Sequence, residues 1–144
     1  MKDPLNILIL FLFWSYSFAQ TAKEVVNITS SEESVLVIDN YIDPLFFSLN
    51  SSDYLNIPLI EKTTDILVQH HVKQIRLTGH CSDAELKTHP TVSLERATKI
   101  KNLMKSFGYD PNSIEIKDVK NTQPVEWTGN NEENQRVEII ILKA

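Results

Sequence analysis

The stretch LTGHCSDAELKTHPTVSLERA, residues 77–97, decides how the rest of the sequence is arranged. It contains the end of a predicted strand, a polar loop and the first turn of a predicted helix. Alternation over residues 72–78 places Ile75 and Leu77 on one face, which predicts a strand that buries this face and ends at Gly79. The segments before and after the stretch are expected to form a scaffold around the loop.

Arg96 is the unusual residue of this stretch. Residues 92–107 follow the helical period, and Arg96 falls inside their apolar stripe. Pro90, Thr91 or Ser93 can begin this helix, so Arg96 lies in or next to its first turn, where the helix dipole disfavours a further positive charge. An inward-facing guanidinium there needs an anion. The anion is either a carboxylate of this chain or one brought by a ligand; a third interpretation is an arginine that reaches solvent along its stem.

The composition fits one globular domain behind an export signal. The chain has 144 residues, 42% of them hydrophobic and 23% charged, which allows a modest core. Residues 1–19 combine Lys2, an apolar run at 7–14 and small residues before a cleavage site after Ala19, as a secretory signal peptide does. Asp3 weakens the positive start, which leaves an uncleaved anchor as an alternative. Residues 20–33 are expected to form a flexible leader and 34–144 the domain.

Charge and cysteine content narrow the classes of partner. The formal net charge is −5, and it stays so without the signal segment, which argues against nucleic acid or an anionic lipid surface as the main target. Cys81 is the single cysteine, so there is no internal disulfide framework. It is also too far from the signal segment to carry a lipid anchor. We therefore expect no membrane span of the mature chain's own, and no cofactor is implied.

The order of predicted elements gives the fold class. Strand-like runs at 34–42 and 44–49 precede a helix opened by Pro58 with Asn56 as its cap. The second helix is expected to stop at Gly108. Further along lie a strand at 114–119, a long polar loop at 121–134, and a last strand at 136–143, whose apolar residues on both faces predict an interior position. The order β-α-β-α-β-β predicts a two-layer α/β (α+β) sandwich, with two helices on one face of a mixed sheet.

Three motifs give the chain a resemblance to a known family. They are Ile75-Arg76-Leu77-Thr78-Gly79-His80, Ser93-Leu94-Glu95-Arg96-Ala97 and Asn134-Gln135-Arg136-Val137-Glu138. In order and spacing they are similar to the strand with Gly-His-Thr-Asp, the Leu-Ser-x-x-Arg-Ala helix start and the Asn-Arg-Arg-Val-Glu strand of the OmpA-like C-terminal domains. These are the peptidoglycan-binding modules of peptidoglycan-associated lipoproteins and flagellar motor stators, and the resemblance covers residues 46–142.

The resemblance implies a binding module for the stem peptide of peptidoglycan. The family's arginine at the position of Arg96 holds a carboxylate of diaminopimelate, and the aspartate of Gly-His-Thr-Asp holds its ammonium. Ser82 stands where the family has that aspartate, and Asp83 follows one residue later. Asp83 is therefore the candidate ammonium partner, while Asn134 and Arg136 line or support the pocket. The predicted ligand-binding set is His80, Ser82, Asp83, Arg96, Asn134 and Arg136.

Other interpretations of the central loop involve metal or nucleophilic chemistry. His80, Cys81 and His89 are zinc-ligand types in one loop, but the sequence offers no firm fourth ligand. Adjacent strand residues point to opposite faces, so His80 and Cys81 do not form a nucleophilic pair. A free thiol packed at the strand end is the favoured interpretation.

The sequence thus predicts a non-enzymatic peptidoglycan-binding domain, exported to the periplasm or cell envelope and associated with the outer membrane. Envelope or outer-membrane proteins are further candidate partners. The alternative is a degenerate module that keeps the fold, has lost the ligand and serves as a structural or protein-interaction part of an envelope complex. An envelope hydrolase is disfavoured because no acid/base or nucleophile arrangement is recognisable.

Overall fold

A computed structural model describes residues 37–38, 41–125 and 131–144. The predicted signal peptide, the predicted leader and part of the polar loop at 121–134 lie outside these residues. Within them, none of the helices is long and apolar enough to cross a membrane.

In the described part of the chain, five strands form one mixed sheet. They are β1 (Val37–Ile38), β2 (Tyr41–Phe46), β3 (Gln74–His80), β4 (Ile114–Lys120) and β5 (Arg136–Lys143), in the spatial order β1-β2-β5-β3-β4. β3 and β4 are parallel, whereas the other neighbours are antiparallel. The interior position predicted for the last strand is confirmed, since β5 lies between β2 and β3. β2 itself spans the end of one predicted strand-like run and the start of the other.

Three α-helices of the described residues accompany the sheet. They are α1 (Ile57–Gln69), α2 (Asp83–Thr88) and α3 (Val92–Ser106). Asn56 caps α1 by accepting a hydrogen bond from the Leu59 backbone N–H at 3.3 Å, as predicted. The predicted stop of the second long helix is also confirmed, because Gly108 has φ +97° directly after the C-cap residue Phe107.

α2 was not predicted and lies within the segment expected to be a polar loop. Ser82 and Glu85 form a capping box at its start: Ser82 Oγ accepts from the Glu85 N–H at 3.3 Å, and the Glu85 carboxylate accepts from the Ser82 N–H at 3.1 Å. The two-helix prediction is therefore extended by one short helix, six residues long.

The core lies between one face of the sheet and the two long helices. Its fully buried members include Ile75 and Leu77 of β3, as predicted, and Ile100 and Met104 of α3. β3 does not end at Gly79 but continues through it to His80. The glycine is required by packing, because a Cβ there would lie 2.1 Å from the Ser93 carbonyl oxygen of α3. The first turn of α3 is thereby held directly against β3.

Candidate functional site

Arg96 is completely buried in the first half of α3, and its guanidinium has no unused donor. Nε donates to the Ser51 carbonyl at 2.8 Å. Nη1 donates to the His80 carbonyl at 3.2 Å and to Glu85 Oε2 at 3.0 Å, and Nη2 donates to the Ser48 carbonyl at 3.1 Å and to Glu85 Oε1. A guanidinium carries five N–H donors, so these five bonds saturate it.

Glu85 is equally enclosed, with no exposed side-chain surface. Besides Arg96, its carboxylate accepts the Asn50 N–H at Oε1 (2.8 Å) and the Ser82 N–H at Oε2 (3.1 Å), so each oxygen accepts two bonds. Burial raises the pKa of Glu85, but the bonds from Arg96, Ser82 and Asn50 outweigh burial and lower it below its usual value. The residue is therefore a carboxylate in the folded protein.

The anion that Arg96 needs is thus a carboxylate of the chain itself, one of the three interpretations of the sequence. Phe47 covers the guanidinium from another side, with its ring centroid 5.0 Å from Arg96 Cζ. Sequence reasoning missed Glu85 as the partner. The signal that could have identified it is the Ser-x-x-Glu pattern of Ser82 and Glu85, which marks a helix start and brings the glutamate back towards its cap.

Asp83, the predicted ammonium partner, lies apart from this pair. It is an exposed residue in the first turn of α2, and its Oδ1 accepts from Asn121 Nδ2 at 2.9 Å. Ser82, by contrast, is buried as the N-cap of α2. Serine and aspartate are both strong N-cap residues. Ser82 therefore supplies a cap at the family's aspartate position but no charge.

His80 belongs to a second cluster, around Glu138 of β5. Nε2 of the buried His80 lies 3.4 Å from Glu138 Oε2, an ion-pair distance without hydrogen-bond geometry. Arg136 approaches Glu138 Oε1 with Nη2 at 2.8 Å and Nε at 2.9 Å. Burial raises the pKa of Glu138, but the interactions with His80 and Arg136 prevail and lower it to about 2.

Asn134 and Arg136 connect β5 to the segment that follows β4. Asn134 Oδ1 accepts the Val125 N–H at 2.8 Å, and Arg136 Nη2 donates to the Gln123 carbonyl at 3.3 Å. Both residues are mostly buried. The structure therefore brings His80, Asn134 and Arg136 together, places Arg96 and Ser82 together through Glu85, and leaves Asp83 outside both groups.

A cleft of about 580 Å³ opens beside the Arg96–Glu85 pair. Its lining comes from the segment after β2, the start of α2 and the segment before β5: Phe47, Ser48, Leu49, Ser82, Ala84, Glu132 and Gln135. Phe47 and Ser48 also contact the guanidinium, while Ser82 bonds the carboxylate. The ion pair thus lies directly behind the residues that line one side of the cleft.

Neither cluster has the composition of a metal site. Within the part of the chain that the structure describes, no group of three or more histidine, cysteine, aspartate or glutamate side chains is placed to hold a metal ion. Cys81 is buried as a free thiol. Burial, and then the charge of Glu85, raise its pKa, which disfavours the thiolate.

Comparisons with solved structures identify this architecture. Similar chains include the OmpA-like domain of FopA1 from Francisella tularensis (TM-score 0.61, 17% identity, 83% of this chain and 82% of that one). They also include the C-terminal domain of Helicobacter pylori MotB (0.60, 24%, 69% and 83%) and the peptidoglycan-associated lipoprotein from Burkholderia pseudomallei (0.60, 14%, 67% and 87%). No protein-family model and no curated protein matches the sequence. The structural likeness establishes that this chain has the OmpA-like fold, as its three motifs predict.

Proposed function

We propose that this chain is a non-catalytic domain of the bacterial cell envelope that associates with peptidoglycan through the cleft beside α2. The observation that carries the proposal is the convergence of the three motifs at this cleft. Ser82, two residues after the first motif, and Gln135 of the third motif both line the wall. Arg96 of the second contacts the lining residues Phe47 and Ser48.

The chemistry of the cleft suits a peptide ligand. Its lining combines apolar surface from Phe47, Leu49 and Ala84 with hydroxyl and amide groups and the acidic residue Glu132, as expected where a few polar groups orient a ligand. Asp83 is exposed and adjacent in sequence to the lining residues Ser82 and Ala84, and it is the residue that we propose as the partner of an ammonium group. The stem peptide of peptidoglycan, with diaminopimelate as its ionic residue, is the ligand we propose.

Co-sedimentation of the purified chain with insoluble peptidoglycan tests this proposal. We expect saturable binding that soluble diaminopimelate-containing stem peptide competes away. Asp83→Asn should weaken it, whereas Asp65→Asn, which changes another exposed aspartate, in α1, should not. A folded chain that stays in the supernatant at every peptidoglycan concentration would contradict the proposal.

A protein-interaction module of an envelope complex is the second candidate. It is favoured by one observation: the hydrogen-bonding capacity of Arg96 and Glu85 is filled by each other and by backbone groups of the chain, so the charged centre of the site needs no ligand. Absence of peptidoglycan binding together with recovery of a specific envelope protein after cross-linking in cells would favour this candidate.

A further inference from the structure

We infer that Glu85 occupies the place of a ligand carboxylate at Arg96, which makes Arg96 a latent carboxylate site and Glu85 the residue that excludes free carboxylates from it. The exclusion is a property of the folded chain. Its consequence for ligand choice rests on the proposed function of the cleft.

The hydrogen-bond inventory is the first support. The Glu85 carboxylate meets the guanidinium with both oxygens, the two-pronged arrangement by which arginine also binds free carboxylates. The backbone N–H groups of Asn50 and Ser82 complete the set of donors around it. Four donors thus define a pocket for one carboxylate, and the chain supplies that carboxylate itself.

The second support is that the carboxylate bound to Arg96 belongs to a residue of the chain itself, Glu85. Glu85 belongs to a six-residue helix whose capping box fixes the same carboxylate to the Ser82 N–H. An incoming carboxylate must therefore displace a group held at high effective concentration. It must also leave the displaced Glu85 charge without its four donors, unless α2 moves into solvent.

The position of the pair relative to the cleft is the third support. Ser82 and Ala84, on either side of Asp83 at the start of α2, line the cleft, and Ser48 links its wall to the guanidinium. A ligand in the cleft thus lies next to a neutralised pair and not next to a free cation. We therefore expect the cleft to recognise ammonium, amide and apolar groups, and to gain nothing from a free carboxylate.

Rescue by acetate of a variant that lacks the Glu85 carboxylate tests the latent site without any peptidoglycan. Glu85→Ala leaves a carboxylate-sized space against a buried guanidinium, so its unfolding temperature and its refolding yield from urea should rise with acetate concentration relative to sodium chloride. We expect a rise of about 5 °C, the scale of a mass-action gain in a domain of this size. Acetamide, which matches acetate in shape but not in charge, should not reproduce the effect.

Two variants serve as controls. Glu115→Ala removes the carboxylate from the exposed Arg76–Glu115 pair and should show no acetate effect. Arg96→Met combined with Glu85→Leu removes both buried charges and should also be indifferent to acetate. If acetate and chloride give the same curve for Glu85→Ala, including the case in which the variant stays unfolded in both, there is no latent carboxylate site.

Calorimetric titration with two stem peptides, one with a free diaminopimelate carboxylate and one with that group amidated, tests the consequence for ligand choice. The unaltered chain should bind both within about twofold, whereas Glu85→Ala should prefer the free carboxylate by more than about tenfold. A preference of the unaltered chain for the free carboxylate would overturn the inference. Failure of the unaltered chain to bind either peptide would contradict the proposed function, while the acetate result would still decide the latent site.

Discussion

Among the arginine–glutamate pairs of the described residues, Arg96–Glu85 and Arg76–Glu115 differ most in burial, and burial decides what each contributes. Arg96 and Glu85 have no exposed side-chain surface, whereas Arg76 and Glu115 are 31% and 44% exposed on the sheet. Solvent screens the exposed pair. The buried pair has no water to replace a lost partner, so removing one member leaves an uncompensated charge in the interior.

Replacement of Arg96 by alanine should therefore strongly destabilise the fold. We expect the free energy of unfolding to fall by about 3–5 kcal/mol, because Glu85 loses its cation and three backbone carbonyls lose their donor. Arg76→Ala should change it by about 0.5 kcal/mol. Urea unfolding followed by circular dichroism measures both, and equal effects of the two substitutions would show that the Arg96 pair is solvated.

The Glu138 cluster predicts how stability depends on pH. Burial raises the pKa of Glu138, but His80 and Arg136 outweigh it, and the folded-state pKa is about 2 against 4.5 for an ordinary glutamate. A carboxyl with a lowered pKa stabilises the fold fully above its unfolded-state value and loses this contribution as pH falls towards the folded-state value. Stability should therefore decline between pH values of about 4.5 and 2.

Glu138→Gln separates this contribution from that of other carboxylates. The variant should be less stable than the parent at neutral pH and should lose less stability on acidification, by up to about 3 kcal/mol for a shift of this size. Urea midpoints measured across the acid range provide the comparison. Parallel pH profiles for parent and variant would exclude Glu138 as a source of the acid sensitivity.

At the residue scale, the sequence identified the need of Arg96 for an anion but not its partner. Amphipathic periodicity is sufficient to place Arg96 on the inner face of its helix. Glu85 can be recognised as this partner only if residues 83–88 are known to be helical, because only a helical turn returns the Glu85 side chain to Ser82. That turn was not visible in a six-residue segment without apolar periodicity.

At the scale of elements, the contact between β3 and α3 depends on a missing side chain. Gly79 lies where a Cβ would meet the Ser93 carbonyl oxygen at 2.1 Å, so strand and helix backbones are in direct contact. This contact also places Arg96, one turn further along α3, beneath the strand end that leads to α2. The geometry of the buried ion pair therefore depends on this glycine.

Gly79→Ala should separate β3 from α3 and lower the free energy of unfolding by about 3 kcal/mol, since two backbones must move apart. Gly108→Ala is the matched substitution. Gly108 has φ +97° but open space around its Cβ position, so only backbone strain of about 1 kcal/mol is expected. Thermal unfolding of both variants makes the comparison, and a smaller effect at Gly79 than at Gly108 would contradict direct backbone contact.

The elements differ in how well the sequence predicts them, for physical reasons. α1 and α3 are long enough to show their period and carry recognisable caps or stops, and β5 shows its interior position by apolar residues on both faces. α2 has too few residues to be stable by propensity alone. Its helical turn is stabilised by the capping box and by the buried pair with Arg96, and such tertiary contacts are not visible in a local pattern.

At the scale of the whole molecule, the last strand holds the sheet together. β5 is paired with β2 on one side and β3 on the other, so it connects the N-terminal part of the domain to the β3–β4 pair. Arg136 and Glu138, which organise the second cluster, also belong to β5. The sheet therefore depends on residues 136–143, because β5 lies between its two halves.

Deletion of residues 136–144 should therefore abolish the fold rather than weaken it locally. Among the described strands, β2 would keep only the two-residue β1 as a partner, and β3 would become an edge strand with Ile75 and Leu77 half uncovered. We expect loss of cooperative thermal unfolding and of native amide protection. Deletion of Ala144 alone removes an exposed residue beyond β5 and should change stability by about 0.5 kcal/mol at most. A cooperative transition retained by the longer deletion would show that the chain up to residue 135 folds without β5. The OmpA-like sheet order would then not be needed for stability.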